Sequence, residues 1–221
     1  TLIVGGWKND GNGSNSGHAR VFNLKNSSPT ATGQTSVSAT ENVAKEITLS
    51  GTDPENDPLT YTIVDQPSNG SVTLNGNIAT YTSSSDTATS DGFNFKVNDG
   101  MVDSDKSTVS INITTVNDKP VATAQTVQAT EQTAKTITLA ATDADGDTLT
   151  YSIVTDPSNG TVTLDGVTAT YTSTSDTATS DSFTFKANDG TEDGDPATVT
   201  INITAVNDAP TATAQTVQVT E

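Results

Sequence analysis

Short runs in which apolar and polar residues alternate fill most of the chain. The clearest run, ATVTINITAV at 197–206, places Val199, Ile201 and Ile203 on one face and threonine or asparagine on the other. A period of two is typical of half-buried antiparallel strands, and threonine keeps strand propensity on a solvent-facing side. The same pattern predicts inward positions at Ile137, Leu139, Leu149, Tyr151, Ile153, Val162, Leu164, Ala169, Tyr171, Phe183 and Phe185.

Turn signals separate these runs. PSNG occurs at 67–70 and again at 157–160, LDG occurs at 164–166, and no helical period of useful length appears. About seven short strands in ~90 residues are typical of a sandwich of two sheets. The cysteine pair and core tryptophan of antibody domains are missing. We therefore expect an all-β chain of tandem seven-stranded Ig-like or cadherin-like β-sandwiches, arranged end to end.

The chain contains an internal repeat with a period of 90 residues. Residues 41–120 and 131–210 align without a gap, and 52 of the 80 positions are identical. A third copy begins near the end of the sequence, where Glu221 continues the series Glu41 and Glu131. The predicted organisation is a fragment of an upstream domain or a linker at 1–25, repeat 1 at 26–118, repeat 2 at 119–208, and the first strand of a truncated third repeat at 209–221.

The net charge of the chain limits which partners it can bind. With 27 acidic and 9 basic residues, the formal net charge is −18, so a phosphate backbone or an anionic membrane would be repelled. No stretch approaches the ~20 apolar residues of a membrane span, and no cysteine is present. We expect no nucleic-acid partner and no membrane insertion, and multivalent cations become the favoured partners.

The acidic residues recur with the phase of the repeat. Asp143, Asp145 and Asp147 of TDADGDTLTYSIV correspond to Asp53, Glu55 and Asp57 in the first copy, while the residues between them change. Further acids that recur are Glu41/Glu131, Asp86/Asp176, Asp91/Asp181, Asp99/Asp189, Asp103/Asp193, Asp105/Asp195 and Asp118/Asp208. Many of them fall at predicted element ends, where crowded carboxylates repel one another unless a cation intervenes.

An oxygen-only ligand set without histidine or cysteine favours Ca²⁺ and disfavours zinc. An EF-hand is excluded, because counting from Asp143 puts Thr148 at position six and Val154 at position twelve, where the turn glycine and the bidentate glutamate belong. The alternative is that all these acids are solvated surface groups. Asp57 and Asp147 are turn residues in one interpretation and ligands in the other.

Several motifs together carry a family resemblance over 26–221. They are the early glutamate of TEN and TEQ, the D-x-D before LTYSI, the NDG after the penultimate strand, and the closing VNDAP. The chain resembles cadherin-type repeats, and more narrowly the bacterial cadherin-like modules of large secreted, RTX-type adhesins. The resemblance implies Ca²⁺ between consecutive modules, bound by the upstream module, the linker and the downstream module.

Carried over by position, the resemblance implies metal ligands at both junctions and at the matching positions of the first copy. For the first junction the implied ligands are Glu41, Asp86, Asn117, Asp118, Asp143, Asp145 and Asp189; for the next they are Glu131, Asp176, Asn207 and Asp208; and the matching positions of the first copy are Asp53, Glu55 and Asp99. The sequence departs from the family pattern at 86–88 and 176–178, where DTA lacks one carboxylate, and its VNDKP or VNDAP linker is short. We therefore expect fewer ions at a junction than in vertebrate cadherins.

Residues 1–25 lie outside the repeat. The segment NDGNGSNSGHARVF resembles a loop and strand of an FG-GAP-like β-propeller, with Asp10, Asn12 and Ser14 as the remnant of a calcium loop. A Gly/Ser/Asn linker is the alternative. The single histidine, His18, has no partner with which to form a catalytic constellation.

The function expected from these features is mechanical. The repeats would be calcium-rigidified links in an extracellular or cell-surface stalk of a bacterial adhesin, without catalysis, joined to neighbouring repeats through calcium. The alternative is an adhesive binding module for cell-surface glycans or for homophilic contacts. Of the four tyrosines, which recur as Tyr61/Tyr151 and Tyr81/Tyr171, most are expected in the core, which leaves few exposed aromatic rings for a sugar.

Overall fold

The computed structural model describes residues 25–210 and 212–219, together with the backbone of two short strands near the amino terminus. The chain divides into two compact units, Thr1–Val116 and Asn117–Glu221, here called unit 1 and unit 2. Every regular element in the described ranges is a β-strand. The all-β, tandem Ig-like fold predicted from the alternation is thus confirmed.

Unit 1 contains two strands before the repeat and nine within it, counted over its described residues. They are β1 (Leu2–Gly5), β2 (Ala19–Phe22), β3 (Thr30–Thr32), β4 (Gln34–Thr40), β5 (Lys45–Thr48), β6 (Ser50–Thr52), β7 (Thr60–Asp65), β8 (Gly70–Asn75), β9 (Ile78–Ser83), β10 (Ser90–Asn98) and β11 (Ser107–Thr114).

Unit 2 repeats the nine segments in the same order. They are β12 (Val121–Ala122), β13 (Gln125–Thr130), β14 (Lys135–Thr138), β15 (Ala141–Thr142), β16 (Thr150–Thr155), β17 (Gly160–Asp165), β18 (Thr168–Ser173), β19 (Ser180–Asn188) and β20 (Ala197–Thr204).

Each unit is a sandwich of a four-stranded and a three-stranded sheet, closed at one side by a two-stranded ribbon. In unit 1 the orders are β4-β11-β10-β7, β5-β9-β8 and β3-β6; in unit 2 they are β13-β20-β19-β16, β14-β18-β17 and β12-β15. β3 pairs antiparallel with β6, whereas β4 pairs in parallel with β11. The nine segments are therefore seven strands, of which the first two are each split.

The core of each unit lies between its two sheets and holds the inward residues that the alternation predicts. In unit 2 the four-stranded sheet contributes Phe183, Phe185 and Ile201, and the three-stranded sheet contributes Tyr171 and Ile137, all at most 3% exposed. Unit 1 has the equivalent cluster. Burying side chains of this size stabilises a fold by about 1.5–3 kcal/mol each, so two small sheets suffice for a domain.

A one-residue insertion distinguishes the first strand of unit 1. Asn26 and Pro29 precede Asn117 and Pro120 by 91 residues, but Glu41 precedes Glu131 by 90. The extra residue is absorbed at Ser36, which has φ of 61° and lies where the pairing of β4 with β11 shifts register. The matching pair β13 and β20 stays in register throughout. Ser36 therefore forms a β-bulge that keeps the inward side chains on their face.

The two units divide between Val116 and Asn117, and Asn117 and Asp118 both bond within unit 2. The repeat bounds 26–118 and 119–208 stay a prediction. Residues 212–219 form no strand and are exposed. In unit 2 the corresponding residues pair with β15 and β20. That segment stays a predicted first strand. Within the described ranges no helix is long and apolar enough to cross a membrane.

Candidate cation-binding clusters

Two groups of acidic side chains recur in each unit. The head cluster gathers where the repeat begins and consists of Asn26, Ser27, Asp53, Glu55, Asp57 and Asp99 in unit 1 and of Asn117, Asp118, Asp143, Asp145, Asp147 and Asp189 in unit 2. The tail cluster gathers where the repeat ends and consists of Glu41, Asn42, Asp86 and the Val116 amide in unit 1 and of Glu131, Gln132, Asp176 and the Val206 amide in unit 2.

In the head cluster of unit 2, the first two residues of the unit, Asn117 and Asp118, donate hydrogen bonds to carboxylates of two different loops. The side-chain amide of Asn117 donates to Asp189 Oδ2 at 2.9 Å, and the backbone N–H of Asp118 donates to Asp145 Oδ2 at 2.8 Å. Carboxylate oxygens of Asp143, Asp145 and Asp147 lie within 4.8 Å of one another. This spacing brings three negative charges close enough to share one cation.

The head cluster of unit 1 is built alike but differs at one contact. The amide of Asn26 donates to Asp99 Oδ2 at 2.9 Å, as Asn117 does to Asp189. Ser27 donates twice to Glu55, from its backbone N–H at 3.0 Å and from its hydroxyl at 2.9 Å. Both oxygens of Glu55 therefore already accept a hydrogen bond.

The tail clusters centre on a buried glutamate. Glu41 is 3% exposed and Glu131 is 2% exposed, and Oε1 of each accepts the backbone N–H of Val116 or Val206. Glu41 and Glu131 thereby hold the segment by which the chain leaves each repeat. Beside them, Asn42 donates to Asp86 and Gln132 donates to Asp176. Asn42 and Gln132 both have positive φ, of 55° and 58°.

Four carboxylate oxygens of these clusters are inaccessible to water and accept no hydrogen bond from the residues that the structure describes. They are Glu41 Oε2, Asp53 Oδ2, Glu131 Oε2 and Asp143 Oδ2, the same two positions in each unit. A buried charged oxygen without a partner costs several kcal/mol unless it is neutralised. All four belong to the predicted ligand set, and an all-oxygen site of this kind fits a hard divalent cation such as Ca²⁺.

The carboxylates of Asp99 and Asp189 stay ionised at neutral pH. The backbone N–H groups of Val102 and Glu192 hold the pKa of Asp99 and Asp189 below the usual value, and the amides of Asn26 and Asn117 add to the effect. Hydrogen bonds from neutral donors leave the negative charge in place, so these groups can still bind a cation.

The structure brings most of the predicted site residues into these clusters. Asp57 and Asp147 have a turn role, since their backbone N–H groups donate to Asp53 and Asp143, although the Asp147 carboxylate also lies near Asp145. Asn207 and Asp208 are exposed, and the Asn207 amide donates to the Asp208 carbonyl. The proposed propeller loop with Asp10, Asn12 and Ser14 lies outside the described residues.

Sequence reasoning missed Asn26 and Ser27, the equivalents of Asn117 and Asp118. The signal was present, because each repeat has asparagine three residues before a proline, at Asn26/Pro29 and at Asn117/Pro120. The insertion at Ser36 shifted this stretch out of the 90-residue phase and concealed the match.

The model of the bacterial Ig domain family matches residues 26–112 and 117–202, which is more than half of the chain. The chain belongs to the bacterial Ig domain family. The match begins at Asn26 and does not include the segment that resembles a propeller. A search of curated proteins gives no match by sequence.

Three solved structures are similar to this chain to different degrees. The human mucin-like protocadherin EC1-2 structure is 16% identical, with a TM-score of 0.50 over 80% of this chain and 98% of that one. The human desmocollin-1 ectodomain is 14% identical, with a TM-score of 0.39 over 88% and 47%. An endo-fucoidan hydrolase is 22% identical, with a TM-score of 0.37 over 85% and 30%, so this chain spans under a third of that enzyme. The cadherin-like fold expected from the motifs is supported by the protocadherin likeness.

Proposed function

We propose that these bacterial Ig repeats are calcium-rigidified structural units of an extracellular stalk, in a secreted or surface adhesin, without catalysis. The observation that carries this proposal is the set of four water-inaccessible carboxylate oxygens without hydrogen-bond partners. They recur at equivalent positions of both units, and each lies in a cluster with other carboxylates. A cation supplies the neutralising charge that the described residues do not.

The residues proposed to hold Ca²⁺ in the head clusters are Asp53, Glu55 and Asp99 in unit 1 and Asp143, Asp145, Asp189, Asn117 and Asp118 in unit 2. In the tail clusters they are Glu41 and Asp86, and Glu131 and Asp176, with Asn207 and Asp208 after the second. Bound calcium would supply positive charge and would fix the loops whose carboxylates it shares. No reaction is assigned to it.

The mechanical part of the proposal follows from chain connectivity. Val116 bonds to the tail cluster of unit 1, and the next residue, Asn117, bonds to the head cluster of unit 2. Consecutive residues are therefore held by two acidic clusters, and neutralising both clusters would fix the linker. We propose that calcium links consecutive repeats in this way and makes the chain stiff. Ligand binding to the folded state alone also stabilises it by mass action.

Calcium binding itself is tested by isothermal titration of the whole chain. We expect heat from Ca²⁺ binding that is absent with Mg²⁺ at the same concentration, since Mg²⁺ retains its water shell more strongly. The variant Glu41→Gln/Glu131→Gln should lose sites, whereas the matched variant Glu46→Gln/Asp165→Asn, with exposed acids outside both clusters, should bind as wild type does. No calcium heat in the wild-type chain would refute the proposal.

A second candidate, adhesive binding of glycans or of another repeat, is favoured by a groove that recurs in both units. It is lined by Leu59, Tyr61 and Leu74 in unit 1 and by Leu149, Tyr151 and Leu164 in unit 2. Tyr61 and Tyr151 are half-buried, so part of each side chain is accessible to a ligand. A glycan array probed with this chain tests the candidate. Signal that is lost in Tyr61→Ala/Tyr151→Ala would favour binding, and an array without signal would remove glycans as ligands.

A further inference from the structure

The two head clusters have the same framework but not the same charge. The head cluster of unit 2 has acidic residues at five positions, Asp118, Asp143, Asp145, Asp147 and Asp189, and carboxylate oxygens of Asp143, Asp145 and Asp147 lie within 4.8 Å of one another. The head cluster of unit 1 has acidic residues at four positions, because the position of Asp118 is occupied by Ser27. The affinity of an oxygen site for Ca²⁺ rises with the number of charged ligands.

Hydrogen bonds to Glu55 and Asp145 add to this difference in charge between the two head clusters. Ser27 donates to both oxygens of Glu55, whereas in unit 2 only Asp145 Oδ2 accepts a hydrogen bond from Asp118. A cation that binds Glu55 has to share or displace the Ser27 hydroxyl, whereas Asp145 Oδ1 accepts no hydrogen bond from the described residues. In unit 1 the Ser27 hydroxyl therefore already compensates part of the negative charge of Glu55, which in unit 2 a cation would do for Asp145.

The spacing of the carboxylates also differs between the two head clusters. Oxygens of Asp143, Asp145 and Asp147 lie within 4.8 Å of one another, and within the described ranges this is the one such group of three acids. Asp53, Glu55 and Asp57 do not form one, although Asp53 Oδ2 is as inaccessible and unpartnered as Asp143 Oδ2. An unpartnered oxygen thus occurs at the same position in both units, but within the described ranges only unit 2 has three carboxylates in this close spacing.

We propose that Ser27 makes the head cluster of unit 1 a weaker divalent-cation site than the head cluster of unit 2, so that the two fill at different calcium concentrations. This gradation in calcium affinity rests on the calcium binding proposed above, and it adds the order in which the two head clusters fill. As calcium falls, unit 1 releases its head-cluster cation first, and unit 2 keeps its own. The chain then responds to calcium in two steps.

The test is a calcium titration of the whole chain followed by amide NMR shifts. The N–H of Val102 donates to Asp99 and the N–H of Glu192 donates to Asp189, so each amide reports on one head cluster. In the wild type, the Glu192 midpoint should lie at about tenfold lower calcium than the Val102 midpoint.

Reciprocal variants assign the difference to one position. Ser27→Asp should lower the Val102 midpoint about tenfold and leave Glu192 unchanged, and Asp118→Ser should raise the Glu192 midpoint by a similar factor. A matched charge control is Asn75→Asp, which adds one charge to unit 1 where unit 2 already has Asp165 on an equivalent exposed turn. It should move neither midpoint.

The outcomes separate the two proposals. If both amides titrate with equal midpoints, or if Ser27→Asp moves Val102 no more than Asn75→Asp does, the gradation is wrong while calcium binding stands. If neither amide responds to millimolar calcium, calcium binding at the head clusters is itself wrong. Separate midpoints that the two swaps exchange would support both.

Discussion

A buried tyrosine hydroxyl anchors the PSNG turn of each unit, and removing it gives a sharp test of the fold. Tyr171 is fully buried, and its hydroxyl donates to Asp181 Oδ2 at 2.9 Å. Asp181 is 8% exposed and also accepts backbone N–H groups from Ser158 and Asn159 at 3.0 and 2.9 Å. One carboxylate therefore joins the turn at 157–160, strand β18 and the start of strand β19. We predict that Tyr171→Phe loosens this junction.

The size of the effect follows from what the variant leaves behind. Phenylalanine fills the same space, and Asp181 keeps its bonds from the backbone, so the loss is one hydrogen bond to a charged acceptor. Such a bond contributes about 1.5–3 kcal/mol, and part of this is recovered because Asp181 keeps its other donors. We expect the free energy of unfolding of unit 2 to fall by about 1–2 kcal/mol.

The same contact gives a pH dependence. Burial, and then the hydrogen bond to Asp181, raises the pKa of Tyr171 from 10.0 to about 12. Because the folded pKa lies above the unfolded value, this stability is complete below pH 10 and is lost as the pH rises to about 12. Two pKa units correspond to about 2–3 kcal/mol. Tyr171→Phe should remove this alkaline loss from unit 2.

The assay is urea unfolding followed by circular dichroism, with hydrogen exchange and mass spectrometry to assign each transition to a unit. Tyr151→Phe is the matched control, because Tyr151 is only half-buried and its hydroxyl makes no hydrogen bond within the described residues. If Tyr171→Phe and Tyr151→Phe change the unfolding free energy equally, or if the alkaline loss in unit 2 persists without Tyr171, the reasoning is refuted.

Three further predictions concern other features of the units. Glu131→Gln should raise the melting temperature in chelator, because it removes the charge of a buried carboxylate whose Oε2 has no hydrogen-bond partner among the described residues, and it should lower the melting temperature in calcium; a change of the same sign in both buffers would contradict the cation assignment. Gly160→Ala should cost about 2–4 kcal/mol in urea unfolding, because its Cβ would lie 2.5 Å from the Thr172 carbonyl oxygen and 2.6 Å from the Tyr171 ring. Gly166→Ala, with positive φ and open space, should cost only about 1 kcal/mol, and equal costs would refute the packing argument. Deleting Ser36 should leave unit 1 folded with an unbulged pairing of β4 and β11, as in unit 2; loss of the cooperative transition would show that the bulge is required.

The sequence was sufficient for the fold class because alternation and repetition agree at the strands that form the core. Phe183, Phe185 and Ile201 were assigned inward from their spacing alone, and all three are buried. Because the repeat occurs twice, each motif appears twice, and a turn such as PSNG could be recognised by its recurrence. The splitting of the first strand between two sheets could not be predicted, because it depends on pairing partners more than 60 residues later in the chain.

The candidate site was only partly predictable. Acid type and phase identified Glu41, Asp53 and Asp143, but burial decides which oxygens lack a partner, and burial arises only in the packed unit. Asn26 and Ser27 were missed because one inserted residue displaced them from the repeat phase. Their contacts with Asp99 and Glu55 are made across the fold, where sequence separation carries no signal.

Small-angle X-ray scattering of the whole chain, measured in millimolar calcium and again in chelator, tests the central claim most directly. If calcium fixes the linker at 116–120, the pair-distance distribution measured in calcium should be narrow and should not change with protein concentration. In chelator it should broaden as the linker bends, and Glu41→Gln should broaden it even in calcium. Identical distributions with and without calcium would contradict calcium rigidification, whatever the titrations show about binding.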